Sequence, residues 1–151
     1  MKLQQTIKQS KPFRNLYHQT TVNLLFTGRW IFNLHNELFK TYGLTMQQYN
    51  ILRILKGQNK KPSTIKLIHE RMLDKMSDTS RIVEGLRKKG YLIRELNANN
   101  RRQVDILITQ KGLDILNTIE EEGSETMDNF LSGLNLVETE QLNILLDKLR
   151  D

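Results

Sequence analysis

The chain has 151 residues, of which 38% are hydrophobic, and it carries a net charge of +6. This length suits one folded domain with helical extensions better than two independent cores. The sequence contains no cysteine, which excludes disulfides, thiol nucleophiles, cysteine-ligated zinc and cysteine redox sensing. It has neither the apolar run of a signal peptide nor the roughly 18 apolar residues of a membrane span. We therefore expect a cytoplasmic protein with no membrane partner.

The charge is divided unevenly along the chain. Residues 1–44 hold 6 Lys/Arg against 1 Asp/Glu, residues 45–112 hold 15 against 6, and residues 113–151 hold 2 against 10. Clustered Lys and Arg raise the local positive potential and attract phosphates, so the middle segment favours a polyanionic partner. An ordinary solvated basic face would give the same counts, and charge alone leaves both interpretations open.

Residues 13–41 have the periodicity of one long helix. One apolar row consists of Leu16, Thr20, Leu24, Thr27, Ile31, Leu34 and Leu38. A second set surrounds it, comprising Phe13, Tyr17, Leu25, Phe26, Trp30, Phe32 and Phe39. A helix that is apolar on more than one side must be buried against more than one neighbour. We interpret this helix as part of a dimer interface; the alternative is a core helix within one chain.

Two short helices are predicted next. Thr45 and Gln48 have the spacing of a capping box at the start of a helix. Ser63 is predicted to cap a second helix that runs from Ile65 to Met72.

A further helix follows after a tight turn. Ser77 is predicted to cap it, Ile82, Val83 and Leu86 to face inward, and Gly90 to end it. Two short helices joined by a tight turn, the second beginning with small polar side chains, are typical of a helix-turn-helix whose second helix enters the major groove of DNA. Many helical hairpins share this pattern, so the signal is moderate by itself.

A β-hairpin is predicted directly after these helices. Residues 91–96 and 103–109 are two β-rich runs separated by the polar loop "NANNRR". Helix, turn, helix and hairpin is the order of a winged helix, and Arg101 and Arg102 lie at or beside the hairpin tip. Arginine on such a loop can enter the minor groove, where negative potential is concentrated. The alternative is that the pair only keeps the tip solvated, or forms a salt bridge to Asp105 or to a neighbouring acid.

Two more helices complete the chain. Thr109 is predicted to cap the first, with Leu113, Leu116 and Ile119 on its buried side. Asn135 and Glu138 have capping-box spacing at the start of the second. An apolar stripe on that last helix consists of Leu142, Leu145, Leu146 and Leu149. The stripe needs a partner, and the leftover apolar surface of the first helix is the one we expect.

With these elements in place, the sequence resembles the MarR family of winged-helix regulators. The resemblance rests on "SDTSRIVEGLRKKGYLIRE" and on the wing segment "NRRQVDILITQKG", and it extends to "LTMQQYNILRIL" and "GLNLVETEQLNILLDKL". It implies a mainly α fold with a small β-hairpin wing, a winged helix-turn-helix with N- and C-terminal dimerisation helices. We expect an N-terminal dimerisation helix in residues 1–44, the DNA-binding region in 45–112 and C-terminal dimerisation helices in 113–151, all in one compact domain.

The family pattern also assigns roles to individual positions. Residues at the start of the recognition helix would meet the major groove, and we add one basic residue from its outward face: Ser77, Asp78, Thr79, Ser80, Arg81 and Lys88. Arg101 and Arg102 match the wing arginines. Asn100 stands where the family usually has Asp, and an amide can hydrogen-bond a guanidinium without the charge, so we expect a wing that is less ordered before binding. The resemblance places Leu16, Leu24, Leu142, Leu145, Leu146 and Leu149 in the dimer interface.

These expectations define one function and its alternatives. We expect a homodimeric regulator, a repressor, that binds a palindromic operator in double-stranded DNA. The family also suggests a small aromatic or amphipathic effector in a pocket lined by Phe26, Trp30, His35 and Met72. Ordinary core packing would equally account for the two aromatic residues and Met72, and a solvated or hydrogen-bonded side chain for His35. The alternative is a helical adaptor that binds proteins rather than DNA. Scattered histidines and the lack of a metal or phosphate motif argue against an enzyme, a cofactor or a metal.

Overall fold

The computed structural model describes residues 2–100 and 102–151. Its elements in chain order are α1 (Leu3–Thr6), α2 (Leu16–Thr41), α3 (Met46–Lys56), α4 (Ile65–Arg71), α5 (Thr79–Lys88), β1 (Leu92–Leu96), β2 (Val104–Ile108), α6 (Gln110–Asn129) and α7 (Leu136–Arg150). This order confirms the predicted mainly α fold with a two-stranded hairpin after a helix-turn-helix.

The long first helix begins later than its periodicity predicts. It starts at Leu16, since the side chain of Asn15 accepts a hydrogen bond from the amide of His18 and caps the helix there. Phe13 therefore lies before α2, where its ring contacts that of His18 edge-on at 5.5 Å. The apolar pattern of the sequence extends beyond this cap toward the N-terminus, so periodicity alone did not show where the helix begins.

Three predicted helix caps are confirmed and two are wrong. Capping boxes form at Thr45 and at Asn135, and Thr109 caps α6. Ser63 does not cap α4: its backbone pairs with Ile106 as an isolated β-bridge, and Thr64 is the cap. Ser77 does not cap α5 either, because its hydroxyl donates to Asp74 and Asp78 takes the cap position. In both cases a tertiary or turn contact occupies the first candidate, and the next residue caps the helix.

The core lies between α3, α5, α6 and the hairpin. Its fully covered side chains include Ile51, Leu52, Val83, Leu86 and Ile106, and Leu116 and Ile119 of α6 close it. Within the described chain, Phe39 is the one buried residue of α2, and its ring stacks on Tyr49 at 4.1 Å. The N-terminal two-thirds of α2 therefore extends beyond the core of its own chain.

The hairpin is attached to the rest of the domain at its base. Strands β1 and β2 are antiparallel, with Leu92 opposite Ile108 and Leu96 opposite Val104. The backbone of Ser63 exchanges two hydrogen bonds with Ile106, of 2.9 and 2.8 Å, and so adds a short third pairing beside β2. The start of α6 packs so closely on the end of the α5–β1 connection that a Cβ on Gly112 would lie 2.2 Å from the carbonyl oxygen of Tyr91.

An ion-pair network joins α6 to the helix-turn-helix lobe. Glu120 accepts from Arg53 and from Lys56 Nζ at 3.0 Å, and the same ammonium donates to Asn117 at 3.2 Å. All of these charges are partly exposed, so each pair contributes little by itself. Among residues 2–100 and 102–151, no helix combines the length and apolar character that a bilayer crossing demands.

Candidate nucleic-acid interface

Helix α5 presents a polar and basic face away from the core. Thr79, Val83 and Leu86 recur on its inner side, where they are buried. Ser80, Arg81, Arg87 and Lys88 are exposed. An amphipathic helix held by one apolar stripe, with small and basic side chains on the opposite face, can be placed in the major groove of DNA without losing its own packing.

The turn before α5 is fixed by a set of side-chain caps. Asp78 accepts from the amide of Arg81 at 3.0 Å. Asp74 accepts from the hydroxyl of Ser77 at 2.7 Å and from the amide of Met76 at 3.0 Å, and these bonds hold the pKa of Asp74 below its usual value. Asn50 of α3 accepts from the amide of Leu73. The start of α5 is thus positioned by local hydrogen bonds that sequence analysis did not identify.

Thr79 does not lie on the outward face. Its side chain is 5% exposed, and its hydroxyl donates to Met72 Sδ at 3.3 Å and lies 2.9 Å from His69 Nδ1. The expectation that Thr79 contacts base edges is therefore wrong for its side chain, which joins α4 to α5. The sequence did carry the signal, because Thr79 precedes Val83 by four residues and shares its helical face.

The hairpin tip is organised by asparagine side chains. Asn97 Oδ1 accepts from the amides of Asn99 and Asn100 at 2.9 Å, and Asn100 Oδ1 accepts from the amide of Arg102 at 3.2 Å. These are local side-chain turns of the kind that Asn favours. Among the described residues, Asn100 is thus bonded to the backbone of Arg102 and to the side chain of Asn97.

Arg102 is exposed at this tip, whereas Arg101 lies outside the described residues. Asp105 has other partners than Arg102. Its carboxylate accepts from Asn97 Nδ2 at 2.8 Å and from Gln103 Nε2 at 3.0 Å. The alternative in which Asp105 forms a salt bridge with Arg102 has no support here.

A second arginine cluster joins α5 to the hairpin. Both oxygens of Glu84 accept from Arg87, at 2.9 and 2.8 Å, and Arg94 of β1 approaches the same carboxylate to 3.7 Å. The hydrogen bonds from Arg87 lower the pKa of Glu84. Sequence analysis did not identify the pairing of Glu84 with Arg87, which their three-residue spacing could have indicated. The contact with Arg94 is made between elements and had no local signal.

A cavity of about 560 Å³ opens between α2, α3 and the turn before α5. Its lining includes Leu24, Gly28, Arg29, Phe32, Asn50 and Asp74. Of the four residues predicted to line an effector pocket, Met72 alone is in this wall. Phe26 and Trp30 lie elsewhere on α2, 39% and 44% exposed, and His35 packs against the rings of Phe39 and Phe130. Three of the four predicted residues thus lie outside this cavity, since helical spacing alone did not show which row of α2 meets α3.

Extensive apolar surface is uncovered on α2 and α7. Leu16 is 74% exposed, and Leu145 and Leu149 are 63% and 64% exposed. Leu142 is also exposed, Leu24 and Leu146 are half-buried, and α7 has no buried residue anywhere along its described length. Two helices that expose leucines at this density mark an interaction face, because isolated domains rarely leave such continuous apolar surface in water.

Comparison with known proteins finds transcriptional regulators both among the sequence relatives and among the structural neighbours. No protein-family model matches the chain. The HTH-type transcriptional regulator SarZ of Staphylococcus epidermidis is 26% identical over 135 residues, which cover 88% of this chain and 87% of SarZ.

Two solved structures share the fold. The 2,4-dichlorophenol-bound form of the organohalide-sensing transcriptional regulator RdhR has a TM-score of 0.82 at 21% identity, covering 94% of this chain and 86% of that one. A mutant MarR from Escherichia coli complexed with operator DNA has a TM-score of 0.78 at 19% identity, covering 89% and 98%.

Proposed function

We infer that the chain belongs to the MarR family of winged-helix, DNA-binding transcriptional regulators, and from this premise we propose that it is a homodimeric repressor of a palindromic operator. Regulators of this family are not enzymes. The observation that carries the proposal is the combination, on one lobe, of the uncovered polar face of α5 with an exposed arginine at the hairpin tip. A cytoplasmic location follows from this role.

The two elements have different tasks in the proposed complex. Helix α5 acts as the recognition helix, and Ser77, Asp78, Ser80, Arg81 and Lys88 face the major groove. Arg101 and Arg102 of the wing enter the adjacent minor groove, where narrow A·T segments concentrate negative potential. Phosphate contacts from Lys and Arg of residues 45–112 supply affinity and register, whereas base contacts supply specificity.

Dimerisation places two such lobes on one operator. We propose that the exposed leucines of α2 and α7 pack against their copies in a second chain. A two-fold dimer binds two half-sites whose centres are about one DNA turn apart, roughly 34 to 36 Å. The apolar surface left on the N-terminal part of α2 and on α7 supports this arrangement, since the described residues of the same chain leave it exposed.

A DNA titration tests this function directly. We would measure fluorescence anisotropy of a randomised duplex pool and of a palindrome selected from it, each at two salt concentrations. Selective, salt-dependent binding of one dimer per palindrome is the expected result, together with reduced transcription from a promoter that carries the palindrome. Binding to neither duplex would contradict the proposal and favour the protein-binding adaptor.

The wing arginines are expected to contribute to the salt dependence. Arg101→Ala and Arg102→Ala should each weaken operator binding, because each removes a cation that displaces counterions from phosphate. The double variant should flatten the slope of log K against log salt by about one to two units. Lys148→Ala, which removes an exposed cation from α7, is the matched control and should leave the slope unchanged. If the double variant keeps the wild-type slope, the wing does not contact DNA and its assignment to the interface is wrong.

We also propose that a small aromatic effector occupies the cavity beside α2. Its volume of about 560 Å³ suits such a ligand, and Arg29, whose guanidinium lies 5.2 Å from the ring centre of Phe32, adds a charged wall to an apolar space. RdhR was solved with 2,4-dichlorophenol bound. Because Asn50 and Asp74 line this cavity and also hold the turn before α5, occupancy there could shift the spacing of the recognition helices in a dimer.

Filling the cavity should abolish the response to an effector. A Cβ at Gly28 would have nothing within 4 Å, so Gly28→Leu can place its side chain in the cavity without displacing backbone. We expect 2,4-dichlorophenol to raise the melting temperature of the wild type and of Gly28→Ala, which leaves most of the space open, but not of Gly28→Leu. An equal thermal shift in all three proteins would place the ligand elsewhere.

A further inference from the structure

The Glu84 cluster, defined as Glu84, Arg87 and Arg94, lies where α5 meets the wing. Arg87 donates through Nε and Nη2 to the two oxygens of Glu84, which is the bidentate geometry in which guanidinium and carboxylate bind most strongly. Arg94 reaches the same carboxylate from β1. One acid therefore restrains two arginines that belong to two different DNA-facing elements.

Glu84 lies on the outer face of α5. Ser80, Glu84 and Arg87 follow one another at spacings of four and three residues, so they share the outer face of the helix. A carboxylate on that face would repel phosphate if it stood alone. With its charge balanced by two guanidinium groups, the cluster as a whole carries one positive charge and is not repelled.

Holding Arg87 and Arg94 in place is expected to change the specificity for the operator more than the affinity for it. An unrestrained arginine on a long, flexible stem can bind a phosphate of any duplex, which adds to sequence-independent affinity. Arg87 has two of its three guanidinium nitrogens engaged by Glu84 and so offers a single edge in one direction. Specificity is the difference between the affinities for operator and for other DNA. A group that weakens binding to non-operator DNA therefore raises specificity.

We propose that Glu84 is a positioning residue for sequence discrimination. It holds Arg87 of the recognition helix and Arg94 of the wing in one fixed arrangement, and so limits their contacts with the phosphates of non-operator DNA. The inference rests on the proposed function, since it concerns the operator complex. It goes further by giving Glu84 a role of its own, which the exposure of a polar face on α5 does not imply.

Glu84→Gln tests the role while preserving the shape of the side chain. Its amide can still contact arginine but without the charge that makes the pair strong. We expect affinity for random duplex to rise about tenfold at low salt with a steeper salt slope, while operator affinity changes little, so that the ratio of the two affinities falls about tenfold. Glu95→Gln is the matched control: it removes the same charge from an exposed position on β1 and should leave the ratio nearly unchanged.

The effect of Glu84 should be transmitted through the two arginines. In a background of Arg87→Ala and Arg94→Ala, Glu84→Gln should no longer change the ratio, and the double-mutant cycle would measure this coupling. An unchanged ratio in Glu84→Gln, or an equal fall in Glu95→Gln, would overturn the proposal. So would a switch of preference confined to one base pair, because the carboxylate would then contact a base itself. If the wild type distinguishes no sequence, the proposed function fails and the inference fails with it.

Discussion

Gly112→Ala is expected to destabilise the folded chain by about 3 kcal/mol, near the upper end for an overpacked site. The added Cβ would lie 2.2 Å from the carbonyl oxygen of Tyr91 and 2.7 Å from Cγ1 of Ile108, and neither distance is compatible with unmoved neighbours. Because the oxygen belongs to the backbone, relief requires the start of α6 to move away from the wing. The melting temperature should fall by about 10 °C at fixed protein concentration.

Gly133→Ala provides the comparison for this variant. The same change is made in a turn where a Cβ would meet nothing within 4 Å, so the melting temperature should stay within about 2 °C of the wild type. Thermal unfolding followed by circular dichroism measures both variants. Equal stability of Gly112→Ala and Gly133→Ala would show that the close approach of α6 to Tyr91 is not present in solution.

Leu145→Asp is expected to prevent dimerisation. The side chain is 63% exposed in the single chain, so the variant should fold normally, but in the proposed interface each of two chains would bury an unpaired carboxylate. The desolvation of these charges should weaken the dimer at least 100-fold, which is about 2.7 kcal/mol. Sedimentation velocity should show a monomer at micromolar concentration, and operator affinity should fall accordingly, since two half-sites can no longer be bound together.

Leu96→Asp is the matched control for oligomeric state. Leu96 is similarly exposed, at 71%, and lies on the wing rather than on α2 or α7. This variant should remain a dimer. A stable Leu145→Asp dimer would show that the apolar stripe of α7 is not the interface.

Local sequence signals predicted most of the fold. The capping boxes at Thr45 and Asn135 were found correctly because donor and acceptor lie three residues apart in the chain. The wrong caps occurred where two candidates are adjacent, Ser63 beside Thr64 and Ser77 beside Asp78. There the choice was made by contacts with Ile106 and Asp74, and the bridge to Ile106 spans more than 40 residues.

The candidate site was less predictable, because several of its features depend on contacts between residues that are far apart in the chain. The outward basic face of α5 follows from helical periodicity, and Thr79 was misplaced although its spacing to Val83 indicated burial. The cavity and the Glu84–Arg94 contact depend on how separate elements meet, which periodicity within one element does not determine. His35 shows this most clearly, because its neighbour Phe130 follows it by nearly a hundred residues.

The bridge between Ser63 and Ile106 has a consequence for the lifetime of the complex with DNA. It fastens the base of the wing to the segment that enters α4, and α4 in turn is joined to α5 through Thr79. Wing and recognition helix are therefore connected through α4, and in the proposed complex we expect them to leave their grooves together. We expect each half-site to be released in a single kinetic step, without a partly detached intermediate that could be trapped by competing DNA.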